Sequence, residues 1–556
     1  MMQDHTRYTL GFALLGALFF IPFLGGVHLF DWDEINFAEI SREMLILKDY
    51  TRVHVNFEPF FQKPPFFFWL QAGAMALFGI GDFAARFPNA ICGVITLPLL
   101  FRMGQRLKDT RFGILWAGAY FGSILPFLYF KSGIIDPWFN LFIFLGLYYF
   151  ILFHWKKNQY SNIVLDKSRW WYLFLGGFWI GMGILTKGQV AYLIAVLAMG
   201  VYWVYQRFRF YVNVPQFLFF TLSATIVSLI WYGAETLQNG PKFIYEFNKY
   251  QYRLFSTPDA GHAGFPGYHF VVLLVGCFPA SIFAIRSFFK MPEDTLPYQN
   301  DFRRWMKYLF WVVLLLFTIV QSKIVHYSSM CYFPLTYLAA LTMEKMLDGQ
   351  VRLNRWMAFG LWFVGGLFVF ATLAAPFIGM NAEVLKPLFN DPFAQGNLEA
   401  NVRWTGLEII PGLFLLGLLG YFFNAYRRGN KPRSFLALYG GTAIFVMLTL
   451  VFFIKRIEGY SQRAAVEFFA EKADEDCYLA AFGYKTYAHL FYGQPQRPGD
   501  ACFKDTACMN RLFFDPLDKP AYIVAKVHKA KTLEEMETLE EVGRKNGFVF
   551  FRRKAR

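Results

Sequence analysis

Long apolar runs, each about the length of a membrane-spanning helix, recur along the chain from residue 9 to residue 454. An α-helix needs roughly 20 mainly apolar residues to cross the hydrocarbon core of a bilayer, and counting such runs predicts about thirteen spans. Only helices or closed barrels satisfy the backbone in lipid, and these runs lack the two-residue alternation of barrel strands. The pattern therefore predicts an all-α polytopic membrane protein. The predicted spans are 9–30, 83–105, 112–130, 138–155, 170–186, 189–205, 214–234, 267–288, 308–321, 328–344, 354–378, 405–426 and 434–454.

Polar residues interrupt this pattern most strongly between the first two spans, in the stretch 31–68. Within this loop, an amphipathic segment at 35–48 and an apolar segment at 64–80 predict two helices that lie at the membrane interface. The apolar run before the loop has no small-residue cleavage pattern and is longer than the core of a signal peptide, so we predict a retained first span. Ionisable residues on a helix in so long a loop suggest a functional site.

From about Lys455 the composition becomes that of a soluble domain. The sequence predicts a transmembrane domain at 1–454 and a small α/β domain at 455–556. The second domain contains no Gly-rich phosphate loop, nucleophile elbow or HExxH motif, so the sequence assigns no chemistry to it. Its predicted strands are YLAAFGY, AYIVAKV and FVFFRR, and its predicted helices are 461–472, 485–492 and 531–546.

The composition agrees with a membrane protein. Of the 556 residues, 56% are hydrophobic and 21% are aromatic, and the mean hydropathy is +0.33. These values exclude an ordinary soluble enzyme. In a soluble protein, a net charge of +15 would indicate a nucleic-acid partner. Here the positions of the basic residues in the loops explain the charge, so we predict no nucleic-acid partner.

The basic residues collect in alternate loops, which the positive-inside rule places in the cytoplasm. With an odd number of spans, the C-terminal domain then lies on the opposite, outer side. The conspicuous polar residues outside the basic loops share that outer side. The basic loops are 102–111, 156–169, 207–209, 286–307, 345–355 and 427–433, and the outer loops are 31–82, 131–136, 186–189, 235–266, 321–327 and 379–404.

The six cysteines fall into two groups. Three lie in apolar runs, where we predict that they are packing residues. The other three, Cys477, Cys502 and Cys508, lie in the C-terminal domain, where no CxxC pair indicates a metal site. On the outer side of the membrane, one disulfide among these three could form and leave one thiol over.

Asp33 and Glu34 follow the first span closely. Either they only suit the positive end of a helix dipole, or one of them orients or deprotonates an incoming acceptor. Glu39, Arg42 and Glu43 are spaced for pairs on one face of a helix, so we predict structural roles for these three residues.

Several segments resemble the motifs of one class of enzyme. DEINFAEISREML, followed by KPPFFFWLQAGAMALFGIGDFAARFPNA, is similar to the DExxxAExxREM and EKPPLxYW…RLPSA pattern of membrane glycosyltransferases of the GT-C type. GILTKGQVAYLI, RLFSTPDAGHAGFPGYHFVVLLVGCFPA and QSKIVHYSSMCYFPLTYLA resemble later motifs of the same class, in the same order. The pattern is most similar to that of the lipid A aminoarabinose transferases, the ArnT family, with bacterial protein O-mannosyltransferase-like enzymes as more distant kin.

The resemblance implies inverting transfer of a sugar from a polyprenyl phosphate donor to a lipid, glycan or protein acceptor. It also implies a multi-pass enzyme of the bacterial cytoplasmic (inner) membrane, with the active site and the C-terminal domain on the periplasmic side. The partners would be the donor, the acceptor and membrane lipids. The isoprenoid chain of the donor would lie in an apolar groove among the spans.

The resemblance further implies roles for residues on the outer side. Asp33, Glu34 and Asp136 are the catalytic candidates. A departing lipid phosphate must be held by fixed cations and hydrogen-bond donors, because its charge develops in the transition state. The candidates for binding the donor phosphate are Lys63, Arg253, Lys323, His326 and Tyr327.

Gln62 stands where the family has a glutamate. Its amide can position a substrate but supplies no charge, so any role that needs a charge at this position is in doubt.

Other polar residues have competing structural explanations. Asp136 could be the N-cap of the span at 138–155, with Pro137 at the first helical position. Lys187 ends a span. His262 and His269 could bind a divalent metal or could be ordinary solvated histidines, so the sequence assigns no certain cofactor.

Two other functional classes stay open on the sequence. A transporter or flippase of a lipid-linked sugar would place ionisable residues in mid-span and would show paired repeats, and neither is evident. An inactive relative that serves as an assembly subunit would agree with the glutamine at position 62.

Overall fold

Helices account for most of the chain that the computed structural model describes, namely residues 2–158, 163, 165–257, 264–503 and 505–555. Up to residue 459, the helices are α1 (Met2–Phe20), α2 (Asp33–Leu47), α3 (Phe66–Phe78), α4 (Asp82–Leu107), α5 (Thr110–Phe121), α6 (Ile124–Tyr129), α7 (Asp136–Lys157), α8 (Arg169–Lys187), α9 (Val190–Tyr205), α10 (Val214–Asn239), α11 (Lys242–Ser256), α12 (Tyr268–Gly276), α13 (Ala280–Phe288), α14 (Pro297–Ile319), α15 (Tyr332–Leu347), α16 (Arg355–Met380), α17 (Ala382–Leu385), α18 (Pro392–Leu398), α19 (Ile410–Arg427), α20 (Lys431–Thr449) and α21 (Lys455–Gly459). A short hairpin of β1 (His54–Val55) and β2 (Glu58–Pro59) follows α2.

Among the residues that the structure describes, six helices are long and apolar enough to cross a membrane. They are Asp82–Leu107, Asp136–Lys157, Val214–Asn239, Arg355–Met380, Leu407–Arg427 and Lys431–Gly459, and shorter apolar helices occur at Thr6–Phe20, Phe66–Phe78 and Val190–Tyr205. Two predicted spans are broken. The run 267–288 divides into α12 and α13 next to Pro279, whose ring nitrogen has no hydrogen to donate. The run 112–130 divides into α5 and α6. The count of thirteen spans therefore stays a prediction.

The bundle packs around α7, most of whose side chains are buried. Helix α8 packs closely against α7 and α10 because glycines leave room for backbone contact. A Cβ on Gly177 would lie 2.4 Å from the carbonyl oxygen of Phe220 on α10. The outward faces of α10 and α16 expose large apolar side chains, as a lipid environment requires. These are Leu218, Leu222, Ile226, Leu229 and Ile230 on α10, and Phe359, Phe363, Leu367, Phe370 and Phe377 on α16.

Helix α2 is buried in the protein, so its predicted amphipathic, interfacial character is wrong. Every side chain from Glu34 to Met44 is buried. Arg42 and Glu39 form a buried ion pair, in which Arg42 donates to both carboxylate oxygens of Glu39 at 2.7 Å. Burial and the neighbouring Glu39 raise the pKa of Glu43, which accepts a hydrogen bond from the backbone of Phe57. The predicted structural roles of these three residues agree with these contacts.

The C-terminal segment contains a five-stranded mixed sheet flanked by helices. Its elements are α22 (Arg463–Ala470), β3 (Tyr478–Phe482), α23 (Ala488–Phe491), β4 (Ala501–Cys502), α24 (Thr506–Phe514), β5 (Ala521–Lys526), α25 (Val527–Glu534), β6 (Glu540–Lys545) and β7 (Phe548–Arg553). The strand order is β4-β3-β5-β7-β6. Strands β4, β3 and β5 are parallel, whereas β7 is antiparallel to both β5 and β6. One disulfide joins Cys502 to Cys508, and Cys477 is a free, buried cysteine.

The three strands predicted from the sequence occur as β3, β5 and β7. The helix predicted at 531–546 is wrong in its second half, where the chain forms β6. This segment is highly charged and mostly exposed, which is how natural proteins protect the edge of a sheet. Pairing with β7 overrides its local preference for helix.

Candidate active site

A polar cavity of about 470 Å³ lies where the loops between the helices meet the C-terminal sheet unit. It contains carboxylates, lysines and one histidine, so opposite charges face one another across it. Most of the predicted site residues line this polar cavity: Asp33, Glu34, Gln62, Lys63, Asp136, His326 and Tyr327.

Asp33 is the first residue of α2, and its carboxylate opens into the polar cavity. Its side chain is 44% exposed, and its Oδ2 lies 3.5 Å from Nε2 of His326. Burial lowers the pKa of His326, although Asp136 and Asp33 act in the opposite direction. A mainly neutral imidazole next to Asp33 leaves the carboxylate accessible to hydrogen-bond donors that enter the cavity.

Asp136 forms an ion pair with Lys187 on the wall of the same cavity. It is the first residue of α7, and its Oδ1 accepts a hydrogen bond of 2.6 Å from Nζ of Lys187 at the end of α8. The alternative of an N-cap is wrong, because Ile135 occupies the cap position and Asp136 lies inside the helix. The ammonium of Lys187 also lies 5.4 Å from the ring centroid of Tyr327. The pair joins α7 to α8 beside the cavity.

Lys63 and Arg253 meet at one aromatic ring. Nζ of Lys63 and the guanidinium carbon of Arg253 each lie 5.2 Å from the ring centroid of Tyr250. Lys63 lines the polar cavity, whereas Arg253 is exposed on the adjoining surface of α11. Two prolines follow Lys63 and restrict its backbone. Lys63 is therefore the cation of this pair that is placed to meet a bound anion.

Glu34 is held in a buried ion pair with Arg86. Nε and Nη2 of Arg86 donate to its two oxygens at 3.1 and 2.8 Å, and the backbone N–H groups of Phe30 and Gly133 also donate to it. Arg86 donates its remaining hydrogens to backbone carbonyls in the segment 24–28. Burial by itself would raise the pKa of Glu34, but Arg86 lowers it below its usual value. These contacts fix the start of α2 and favour a positioning role for Glu34.

We expect the Glu34→Gln variant to be destabilised by about 3 kcal/mol or more, because breaking a buried ion pair leaves the arginine uncompensated. Thermal unfolding of the purified protein in detergent measures the effect. The exposed Glu58→Gln variant in the same loop is the control and should melt as the wild type does. An unchanged melting temperature together with lost turnover would instead give Glu34 a chemical role.

Lys323 lies apart from the phosphate candidates in the polar cavity. It is buried, and its Nζ donates to the backbone carbonyls of Phe317, Thr318 and Val320 at the end of α14. A lysine placed in this way satisfies carbonyls that have no partner within the helix. The contacts with these carbonyls explain a basic residue at position 323 without a bound phosphate.

In the described part of the chain, no group of three or more His, Cys, Asp and Glu side chains is arranged to hold a metal ion. His269 is buried, and its Nδ1 lies 3.1 Å from Oγ of Ser328. His262 lies outside the described residues.

Sequence reasoning missed the part of the cavity wall that the C-terminal unit provides. Lys485 and Tyr487 line the polar cavity together with Asp31 and Trp32. Local sequence carries no signal for this contact, because the two pairs are far apart in the chain. Tyr250, which lies between two predicted phosphate ligands, was also missed.

An apolar cavity of about 300 Å³ adjoins the polar one. The two cavities share Lys63, Asp136, Lys187, Leu254 and Tyr327. The rest of its wall is mainly apolar and is formed by side chains of α7, α9, α11 and α14. We call it the α9–α14 cavity. Its shared wall places fixed cations at the boundary between a polar and an apolar space.

Two further apolar cavities, of about 950 and 390 Å³, lie along α20. The first lies between α1, α5 and α20, and the second lies between the segment 23–30 that follows α1, residues 128–134 and the end of α20. One face of α20 lines the first from Lys431 to Ile444, and the same face continues through a π-helical turn at Leu450–Ile454 to line the second. We call the two together the α20 groove. The second of its cavities shares Phe30, Glu34 and Ile134 with the polar cavity. The polar cavity thus borders apolar spaces on two sides.

Comparison with known proteins assigns a class to this architecture. Residues 62–231 match the family model of dolichyl-phosphate-mannose-protein mannosyltransferases. The crystal structure of ArnT from Cupriavidus metallidurans bound to undecaprenyl phosphate matches the fold with a TM-score of 0.77 at 18% identity, and the match covers 98% of each chain. The chain is a glycosyltransferase, and it is similar to membrane glycosyltransferases of the GT-C type.

Within that class, the chain is similar to the undecaprenyl phosphate-alpha-4-amino-4-deoxy-L-arabinose arabinosyl transferases. It is 26% identical to the enzyme of Pectobacterium carotovorum over 456 residues, which cover 80% of this chain and 75% of the relative. It is 29% identical to the enzyme of Edwardsiella ictaluri over 338 residues, which cover 60% of this chain and 59% of the relative. The predicted resemblance is confirmed.

Proposed function

We propose that this protein transfers a sugar from a polyprenyl phosphate donor to a lipid acceptor at the outer face of the bacterial cytoplasmic membrane, with inversion at the anomeric carbon. The observation that carries the proposal is the wall shared by the polar cavity and the α9–α14 cavity. A donor of this kind has a charged phosphate joined directly to a long apolar chain. Cations at the boundary of an apolar space fit that junction.

Lys63 is the residue that we assign to the donor phosphate, with Tyr327 as a hydrogen-bond donor beside it. Both line the two cavities, so both can reach a phosphate whose isoprenoid chain enters the α9–α14 cavity. Arg253 lies close to Lys63 across the ring of Tyr250 and supports the same positive potential. Lys187 is neutralised by Asp136, so its contribution is to hold the wall in place.

The reaction is one in-line displacement. An oxygen of the acceptor attacks the anomeric carbon, the bond from that carbon to the polyprenyl phosphate oxygen breaks, and the electron pair leaves with the phosphate. Asp33 orients the attacking oxygen and, if that oxygen belongs to a hydroxyl, takes its proton. If the acceptor group is a phosphate, no proton needs to move and Asp33 only orients it.

The α20 groove favours a lipid acceptor over a glycan or a protein. It is a second apolar space that reaches the polar cavity, and its side chains lie on the α1 and α20 side rather than on the donor side. Acyl chains would be buried there at a favourable free energy that scales with apolar area. The acceptor and donor would then enter the polar cavity from different sides, as an in-line displacement requires.

The disulfide between Cys502 and Cys508 supports placement of the site on the outer side. Disulfides persist in oxidising compartments, and the unit that contains this one also provides part of the cavity wall. The loops that the positive-inside rule predicts for the cytoplasm do not line this cavity. We therefore propose thirteen spans, a transmembrane domain at 1–454, and a periplasmic α/β domain at 455–556.

Deleting the gene for this protein from its host cells tests the proposed sugar transfer. We expect one polyprenyl phosphate sugar to accumulate and one envelope lipid to lose that sugar, as mass spectrometry of extracted lipids would show. Expression of the wild type should restore both, and expression of the Asp33→Asn variant should restore neither. Accumulation of the donor only on the cytoplasmic leaflet would favour a flippase, and unchanged lipids would favour an inactive subunit.

A further inference from the structure

The first cavity of the α20 groove, of about 950 Å³, is charged at one end and apolar along the rest of its wall. Arg111 in the first turn of α5 and Lys431 at the start of α20 line the charged end. Nη1 of Arg111 lies 2.8 Å from Oδ1 of Asp348, and Nζ of Lys431 donates to the backbone carbonyl of Met346 at 2.9 Å. Both cations therefore lie together at the end of α15.

The two cations have hydrogen-bond donors beyond these contacts, because a guanidinium carries five N–H groups and an ammonium three. The side chain of Arg111 is 48% exposed, so an incoming group can reach it. Asp348 offsets part of its charge. The loop 427–433 next to it adds three further arginines and no carboxylate. The charged end of the first cavity thus favours an anion.

This charged end is far from the polar cavity. Lys431 and Ile454, which lines the second cavity of the groove, are roughly 35 Å apart along a helix. The hydrocarbon core of a bilayer is only about 30 Å thick, so the two ends of the groove would lie at opposite membrane faces. The positive-inside rule assigns the end with Arg111 and Lys431 to the cytoplasmic face.

The first cavity has the length and the free space for an acyl chain. From Lys431 to Ile444 it follows α20 for roughly 20 Å, which is more than half the thickness of the hydrocarbon core. A Cβ on Gly118 of α5 or on Gly440 of α20, two residues that line the cavity, would meet no atom within 4 Å. An acyl chain of one leaflet therefore fits along this wall.

We propose that the first cavity binds an anionic phospholipid of the cytoplasmic leaflet, with its phosphate on Arg111 and Lys431 and an acyl chain between α1, α5 and α20. Charge complementarity selects the head group, and burial of apolar surface holds the chain. The sugar acceptor proposed above would enter the second cavity from the polar cavity, at the other face of the membrane. Binding of the phospholipid is independent of sugar transfer.

Native mass spectrometry of the purified, delipidated protein measures this binding, with phosphatidylglycerol and phosphatidylcholine of identical acyl chains as probes. We expect the wild type to bind phosphatidylglycerol about 10- to 30-fold more tightly, as two basic side chains at a head group predict. The double variant Arg111→Gln/Lys431→Gln should lose this preference and bind both lipids weakly. Asp348→Asn, which removes the partner of Arg111, should bind phosphatidylglycerol at least as tightly as the wild type.

Two matched controls separate the site from general effects. Gly440→Leu should fill the groove and weaken binding of both lipids at least about tenfold, whereas Gly366→Leu on α16, where a Cβ also meets no atom within 4 Å, should not. The pair Arg428→Gln/Arg433→Gln removes two exposed arginines of the same loop that do not line the cavity, and it should keep the preference. Melting temperatures without lipid show whether each variant folds.

Three results would overturn the proposed lipid site. They are equal affinity of the wild type for the two lipids, an equal loss of preference in the Arg428→Gln/Arg433→Gln pair, and displacement of bound phosphatidylglycerol by a glycolipid acceptor or by polyprenyl phosphate. In the last case the first cavity would belong to the path of a substrate. None of these results would remove sugar transfer, and a protein that transfers no sugar would still bind the phospholipid.

Discussion

With a hydroxyl acceptor, the Asp33→Asn variant is expected to lose at least about 100-fold in kcat, which is the lower end of what a positioned acid or base contributes. Asn keeps the size of the side chain and one hydrogen-bond acceptor. It cannot take a proton, and it cannot accept a hydrogen bond with a full negative charge. The carboxylate is accessible and lies near His326, whose pKa is lowered by burial, so the replaced group faces the polar cavity in which we propose that the acceptor binds.

The loss in kcat is measured as transfer of labelled sugar from a polyprenyl phosphate sugar to the acceptor, in detergent or in vesicles. The Glu58→Gln variant, in an exposed position of the same loop, should retain the wild-type rate. Its melting temperature and that of Asp33→Asn should match the wild type, because neither side chain is buried. Wild-type turnover by Asp33→Asn would remove Asp33 from the mechanism.

The Lys63→Ala variant is expected to lose about 100- to 1000-fold in kcat/KM for the donor, since the lysine would stabilise charge that develops on the leaving phosphate. Its effect should exceed that of Arg253→Ala, because Lys63 lines the polar cavity and Arg253 lies beside it. Lys63→Arg should recover part of the loss, as a planar guanidinium replaces the ammonium imperfectly.

Binding of undecaprenyl phosphate to the purified variants separates affinity from chemistry. Lys63→Ala should weaken this binding, and Lys249→Ala, an exposed lysine of α11, should not. Equal losses in both variants would mean that the general positive potential matters rather than the contact made by Lys63.

The sequence was sufficient to predict a group of candidate residues, each in a short motif, that the structure places on one cavity. Asp33, Lys63, Asp136 and Tyr327 lie on one cavity because each begins, precedes or follows a helix near the same end of the bundle. Periodicity and loop position are local properties, so a single sequence can reveal them.

What the sequence could not predict depends on contacts between distant segments. The buried environment of α2 arises because α3, α4, the hairpin of β1 and β2, and the C-terminal unit pack against it. The residue type and the loop of Lys323 predict a phosphate contact, whereas in the structure its ammonium donates to backbone carbonyls at the end of α14. Strand β6 forms because β7 lies beside it, against the preference of its charged sequence.

The wall formed by Lys485 and Trp32 illustrates the same limit at the active site. The residues that make it belong to the first outer loop and to the C-terminal unit, and neither segment contains a motif for the contact. Only the folded chain brings an additional cation into the cavity that Asp33 also lines.

The most direct test of the account is a single assay with purified wild-type protein in vesicles, a radiolabelled polyprenyl phosphate sugar and a lipid acceptor. The account predicts release of polyprenyl phosphate in equal amount to labelled acceptor lipid, with the anomeric configuration of the sugar inverted. Movement of the intact donor across the bilayer without release of polyprenyl phosphate, or a product with retained configuration, would contradict it.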